Sequence, residues 1–430
     1  MIIRKEKNLN FNTLLLANIG FFATWGEGMQ MVISRASIIY PALASVYMFF
    51  NYNSFIRSVR GKQIVPKEFK WLYVFILIHS IIYISLNFQS IGFGSEMGTA
   101  NDEGFAYGKT ESGIVIIRYF LFLLFCLYLT VAFDNEYKLK IFAISFVIGF
   151  MCTILLGGAF HGNANALVRF SGGVQDPNVM AFDALVALIF SVYLYNSNKM
   201  FAIRMFLIVS FVIELLAVFL SFSRGAYLAL AIWTLLYMIH KGLRRNIWKV
   251  IMGVVIFSII GYMAMRNLGI DPEIVETRFS LEEMQEKKGA NRGLIWETYL
   301  TNLDKYFVFG MGIGNSPKVM IGNKLGVSEA YESHNLFIQF FAEYGFIGLL
   351  LYLLYWRGYM HQNRRTQGNN YILMTVGWAF LVVTFFLNID KGRTFWIVLA
   401  IINTVWMRNI QSRKTIQRQE SISIDKHVNF

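Results

Sequence analysis

Apolar residues run along this chain in long blocks, separated by short and mostly basic polar breaks. Blocks long enough to cross about 30 Å of hydrocarbon, at about 1.5 Å per helical residue, fall near residues 10–27, 31–51, 69–89, 114–133, 139–157, 178–195, 202–221, 226–240, 247–265, 334–356, 371–388 and 394–409. The pattern predicts an all-α polytopic membrane protein of about twelve transmembrane helices. Gly26, Glu27 and Gly28 interrupt the first pair, and the run 226–240 is short. The basic opening MIIRKEKN resembles the start of a signal peptide. With no small-residue cleavage site after it, it reads as an uncleaved first helix.

Lysine and arginine in the short breaks set the orientation. With the N-terminus inside, the cytoplasmic segments hold Arg4, Lys5 and Lys7, then Arg57 to Lys70, Lys138 with Lys140, Lys199 with Arg204, Lys241 to Lys249, and Arg357 to Arg365. Both termini are then cytoplasmic, and loops 90–113, 158–177, 222–225, 266–333 and 389–393 face outward. The chain divides into a divergent N-terminal half (1–157), helices carrying polar motifs (158–265), one large outer loop (266–333), C-terminal helices (334–409) and a polar tail (410–430) that reads as disordered. In the large loop, one helix is expected from Asp271 with Pro272 at its first position. A second is expected from Asn291, its apolar stripe of Leu294, Ile295, Leu300 and Leu303 lying on the membrane or on the bundle. GMGIGN at 310–315 lacks both a preceding strand and dinucleotide-loop spacing, so it reads as a flexible turn or a close backbone approach to a ligand.

Composition agrees with the pattern: 56% of residues are hydrophobic and 15% charged, against about 25% charged in soluble proteins. The net charge of +13 belongs to the breaks between spans, so nucleic acid is not an expected partner. Cys126 and Cys152 sit in apolar runs and indicate neither a disulfide nor a metal site.

The polar residues that stand out gather at the outward ends of the spans. Arg169 lies in VRFSGGVQDPN, Arg224 in LSFSRGAY, Arg292 at the start of the second loop helix, and His334 at the start of the tenth span. Arg118 lies inside the fourth span and Arg35 in the second. Any one of these arginines has a bland reading, a side chain snorkelling to the headgroups. The outward side is the wrong side for such anchors, however, and Arg118 needs a partner, with Asp183 or Glu214 as candidates. Several arginines converging on one outer cavity suit a phosphate or diphosphate, which a guanidinium grips with two parallel hydrogen bonds. Asp176-Pro177-Asn178 reads as a helix cap. On an unbroken helix Gly345, eleven residues on from His334, shares its face; Gly348 lies close by, and the two permit a close helix or lipid contact. Glu343 then points away.

RFSGGVQDPN (169–178), SFSRGAYLAL (221–230), NRGLIWETYLTNLDKYFVFGMGIGN (291–315) and SHNLFIQFFAEYGFIG (333–348) together resemble the core of the O-antigen ligase and polymerase superfamily. The resemblance covers roughly residues 160–360 and implies the multi-helix architecture of membrane glycosyltransferases. It implies glycosyl transfer at the outer face of the bacterial cytoplasmic membrane. The donor would be a glycan on undecaprenyl diphosphate, with a glycan acceptor and neither cofactor nor metal. A flippase and a chain-length regulator would be further partners. The essential arginines would be Arg224 and Arg292, and the histidine of the H-N-x9-G-x-x-G pattern His334; Arg169 matches a commonly present arginine. The residues then give Arg224, Arg292, Arg169 and Arg118 to the diphosphate, and His334 to proton removal from the acceptor. A polymerase is the expectation, a ligase the alternative. A transporter is the competing class, although no internal repeat is evident and the candidates sit at one face.

Overall fold

In a computed structural model, the protein is described at residues 10–25, 36–60, 62–86, 113–157, 160–161, 169–172, 176–242, 292–316, 333–387 and 392–428, with isolated positions between them. These residues form α1 (Phe11–Phe22), α2 (Ala36–Val59), α3 (Lys67–Leu86), α4 (Gly113–Phe133), α5 (Glu136–Gly157), α6 (Pro177–Ser197), α7 (Phe201–Leu220) and α8 (Arg224–Lys241). They continue with α9 (Arg292–Thr301), α10 (Leu336–Asn363), α11 (Gly368–Thr384) and α12 (Arg393–Val428). Eleven of the twelve expected spans coincide with one of these helices. The span at 247–265 and the loop helix at Asp271 lie largely outside the described residues. Five helices, α3, α5, α6, α7 and α10, are long and apolar enough to cross a membrane.

The cap expected at Asp176 defines the start of α6. Asp176 accepts from Asn178 N at 2.7 Å, with Pro177 in the first turn of α6. Asn10 caps α1 through Thr13. Helix α6 is buried along most of its length, wedged among α5, α7 and α11, and its two buried polar residues, Asp183 and Ser191, are partnered within the bundle. Asp183 accepts from Thr394 Oγ1 at 2.6 Å and lies within electrostatic reach of Arg393. Glu214 of α7 accepts from Ser191 Oγ of α6 at 2.9 Å. The expected pairing of these acids with Arg118 meets these partners instead; the Arg118 side chain itself, and all of Arg35, lie outside the described residues.

Two expectations are corrected. The tail is not disordered: α12 continues unbroken to Val428, about 54 Å in all at the helical rise. A first half buried in the bundle supplies the helix nucleus, and the Gln-, Arg- and Lys-rich sequence only has to propagate it. Nor is the segment before His334 all outer loop. After α9 the chain turns through a short 3-10 helix (Leu303–Lys305) and lays residues 306–316 against the bundle, with Tyr306, Ile313 and Ser316 buried and Phe307, Val308 and Phe309 exposed. Phe309 O is bonded by His79 Nε2 at 2.6 Å. At about 1.5 Å per residue, His79 lies about 10 Å in from the end of α3.

The inserted segment docks on a break in α10. Gly345 adopts φ +67° and ψ −169°, which splits the helix. Irregular backbone at that depth persists only if its polar groups are satisfied. Here Met311 N donates to Ala342 O (2.7 Å), Gly312 N to Glu343 O (3.0 Å) and Phe346 N to Phe307 O (2.8 Å). Buried Glu343 accepts from Ser316 Oγ at 3.2 Å and from Gln339 Nε2 at 3.1 Å, so its carboxylate fastens the segment to α10. The GMGIGN glycines are thus a close-approach device, but toward protein. A Cβ on Gly310 would lie 2.3 Å from Glu343 O, and one on Gly312 2.1 Å from the Tyr83 ring.

Candidate functional site

Two turns carry the residues expected to do chemistry. The first joins α7 to α8. Ser221 caps α7, Phe222 takes φ +48°, and Ser223 caps α8 by accepting from Ala226 N at 3.4 Å. Arg224 is therefore the first residue of an 18-residue helix, where the backbone dipole already favours an anion. No described residue hydrogen-bonds or ion-pairs with its partly buried guanidinium. A cation at the positive end of a helix, with no counter-charge among the described residues, is suited to meet an anion.

Arg169 is brought to this same turn. It lies on a two-stranded antiparallel ribbon, Phe160–His161 against Arg169–Phe170. Its Nε donates to Ser221 O at 2.8 Å and its Nη2 to Asn178 Oδ1 at 2.8 Å. Asn178 is itself held by Asp176. The Arg169 Nε thus holds the backbone that presents Arg224 while its Nη2 ties the side chain to the start of α6, a role the sequence did not reveal.

The second turn precedes α10. His334 does not open the helix as expected: Asn335 is the N-cap, its Oδ1 accepting from Phe337 N (3.0 Å) and Ile338 N (3.2 Å). His334 stands outside it at φ +47°. The face shared with Gly345 therefore does not exist, both because His334 lies before the cap and because Gly345 breaks the helix. The two glycines still permit close contacts, Gly345 with the Val308 carbonyl and Gly348 with Phe75 of α3 and Tyr344. Phe222 and His334 are the positive-φ non-glycine residues among those described. Such strain persists only where surrounding structure over-determines it, and it gathers at working sites.

Helix α9, which Arg292 opens, packs beside the second turn. Its Ile295 and Tyr299 are buried with Tyr306 and Ala342, and Leu303, Ile338 and Phe341 pack around them. Of the stripe foreseen in the sequence, Ile295 and Leu303 pack in this cluster, whereas Leu300 stays exposed. Trp296, one turn after Arg292, donates from Nε1 to Ser333 O at 2.8 Å. The two turns meet at the end of α11. The Phe386 ring lies against Gly225, where a Cβ would come 2.9 Å from it, and Phe385 stacks on Phe337 at 4.6 Å. Periodicity gave no reason to single out Trp296, Phe385 or Phe386; each reads as an ordinary aromatic on an apolar run. Among the described residues, no group of His, Cys, Asp and Glu is arranged to hold a metal.

A mainly helical, multi-pass membrane bundle with Arg169 and Arg224 at one strained turn and His334 at another defines the class. Residues 209–353, about a third of the chain, match the protein-family model described as O-antigen ligase. That match supports the O-antigen ligase and polymerase superfamily, as the motifs led us to expect. It spans Arg224, Arg292 and His334, whereas Arg169, Phe385 and Phe386 fall outside it. No curated protein matches the chain.

Proposed function

We propose that this protein is a polysaccharide polymerase of the cytoplasmic membrane. It would move a growing glycan from undecaprenyl diphosphate onto a lipid-linked repeat unit at the outer face. The observation that carries the reading is the meeting of the Arg224 turn and the His334 turn on consecutive residues, Phe386 and Phe385. A base and an anion-directed cation are then neighbours across one aromatic bridge.

The acceptor hydroxyl attacks the anomeric carbon, a carbon–oxygen bond forms, and the bond from that carbon to the diphosphate oxygen breaks. His334 takes the hydroxyl proton. Arg224, at the helix N-terminus, and Arg292 meet the charge that develops on the departing undecaprenyl diphosphate. A single displacement inverts the anomeric centre. Arg169 serves by holding the Ser221 backbone. This chemistry needs neither metal nor cofactor.

The printed description of the matched family, O-antigen ligase, favours a second reading, transfer of finished glycan to lipid A-core. Deleting the gene in its host and resolving surface glycan by gel separates the two. Loss of the ladder, with one repeat unit still attached, is the polymerase result. Loss of all attached glycan, with polymer left on the polyprenyl carrier, is the ligase result. An unchanged pattern overturns both and returns the transporter.

A further inference from the structure

We propose that Trp296 is a positioning residue for His334: its indole N–H sets the peptide plane from which the imidazole is presented. The inference rests on the reading of His334 as part of the transfer site. Ser333 is fully buried, and the Trp296 Nε1 donates to its carbonyl at 2.8 Å. That carbonyl belongs to the planar peptide ending at the His334 nitrogen. On the other side, Ser333 Oγ donates to Asn335 O at 2.8 Å and accepts from Asn335 N at 3.3 Å. The strained His334 is therefore clamped between an indole in front and a capped helix behind. A residue with a Cβ pays about 1–2 kcal/mol to sit in the left-handed region, and bonds on both flanking peptides are what hold it there.

The donor comes from a particular place. Trp296 follows Arg292 by four residues, so the two share a face of α9, and α9 is anchored by Ile295 and Tyr299 against Tyr306 and Ala342. One rigid helix therefore offers a cation and the bond that aims the histidine. Loosening the indole bond changes how His334 meets the acceptor, without touching the groups that hold the donor.

The test uses full-length protein in membranes of the deletion strain, with lipid-linked glycan extracted from that strain as substrate. Trp296→Phe keeps a ring and removes the donor; Trp296→His keeps a donor on a smaller ring. The expected result is a kcat about two- to tenfold lower in Trp296→Phe, the range of one net hydrogen bond. KM for the lipid donor and Tm stay unchanged, and Trp296→His recovers part of the loss. A Trp296→Phe enzyme with wild-type kcat overturns the proposal, as does a Trp296→His enzyme slower than Trp296→Phe, since packing would then be what matters. A rise in KM alone overturns it too, because Trp296 would be acting on donor binding. Full activity in His334→Ala sinks the reading of His334 itself, whereas an inactive His334→Ala beside a normal Trp296→Phe sinks only the positioning role.

Discussion

The Arg169 Nε donates to the Ser221 carbonyl across 2.8 Å, from a residue 52 positions earlier in the chain. That carbonyl closes α7, and two residues later the chain caps α8 to present Arg224. One arginine is spent on the backbone geometry that sets the start of the helix bearing the other. The two belong to one device although they come from different motifs.

Arg169→Ala and Asn178→Ala should each lower the transfer rate, since either change breaks the relay from Asp176 through Asn178 to the turn. A charge-assisted hydrogen bond contributes about 1.5–3 kcal/mol, so the Arg169 change should be the larger. The double variant should be little worse than Arg169→Ala alone, because both residues act on one network. Rates in isolated membranes check this. Fully additive losses would mean that the two side chains act separately.

Arg224→Ala should behave differently. No described residue hydrogen-bonds or ion-pairs with its guanidinium, so removing it should leave Tm and membrane level near wild type. The transfer rate should fall by about 10²–10³, the usual loss for one preorganised donor at developing charge. Arg224→Lys should recover part of it, since a point charge replaces a two-pronged fork. Parallel melting curves and rates on purified protein decide. A large loss of stability would assign Arg224 to the scaffold.

How much of this was legible before the structure depends on the range of the signal. Spans, caps and loop helix are local: apolar blocks predicted α3 or α6 within a few residues, and Asp176-Pro177-Asn178 announced its own cap. Arg292 opens α9 and Arg224 falls at the tight turn between two spans, where the motifs put them. What was not legible depends on distant backbone. The break at Gly345 needs the 306–316 segment to dock against it, and an unbroken 3.6-residue period is the natural reading of AEYGFIG without that partner. His334 likewise reads as a helix start until Asn335 takes the cap. Trp296 and Phe386 carried no signal because an aromatic residue in an apolar run looks the same whether it fills space or positions a neighbour.

Gly345→Ala should be among the most damaging single changes outside the two turns. Its φ of +67° disfavours any side chain, and a Cβ would stand 2.2 Å from the Val308 carbonyl. Gly368 provides the comparison: it has a similar φ of +64° but nothing within 4 Å of a Cβ. Gly368→Ala should cost about 1–2 kcal/mol, the left-handed penalty alone. Gly345→Ala should cost clearly more, because the inserted segment must also move. Thermal melts of the two variants in detergent measure the difference. Equal costs would mean that the contact between the inserted segment and α10 contributes little.

The bridge between the turns makes the last prediction, and it can be tested by rescue. Gly225 follows Arg224 directly, and a Cβ there would lie 2.9, 3.0 and 3.1 Å from three atoms of Phe386. Gly225→Ala should therefore push the ring away and shift the α8 start relative to Phe385, whose ring stacks on Phe337 of the His334 turn. Transfer should slow even though neither Arg224 nor His334 has changed, because a small misplacement of reacting groups is costly in rate. Phe386→Ala removes Cγ and Cδ2, two of the three crowding atoms, so Gly225→Ala with Phe386→Ala should be faster than Gly225→Ala alone. Rescue of that kind cannot come from a general loosening of the bundle, which would make the double variant slower than either single one. Measured rates for the two single variants and the pair therefore report whether the spacing between the turns is set at this contact.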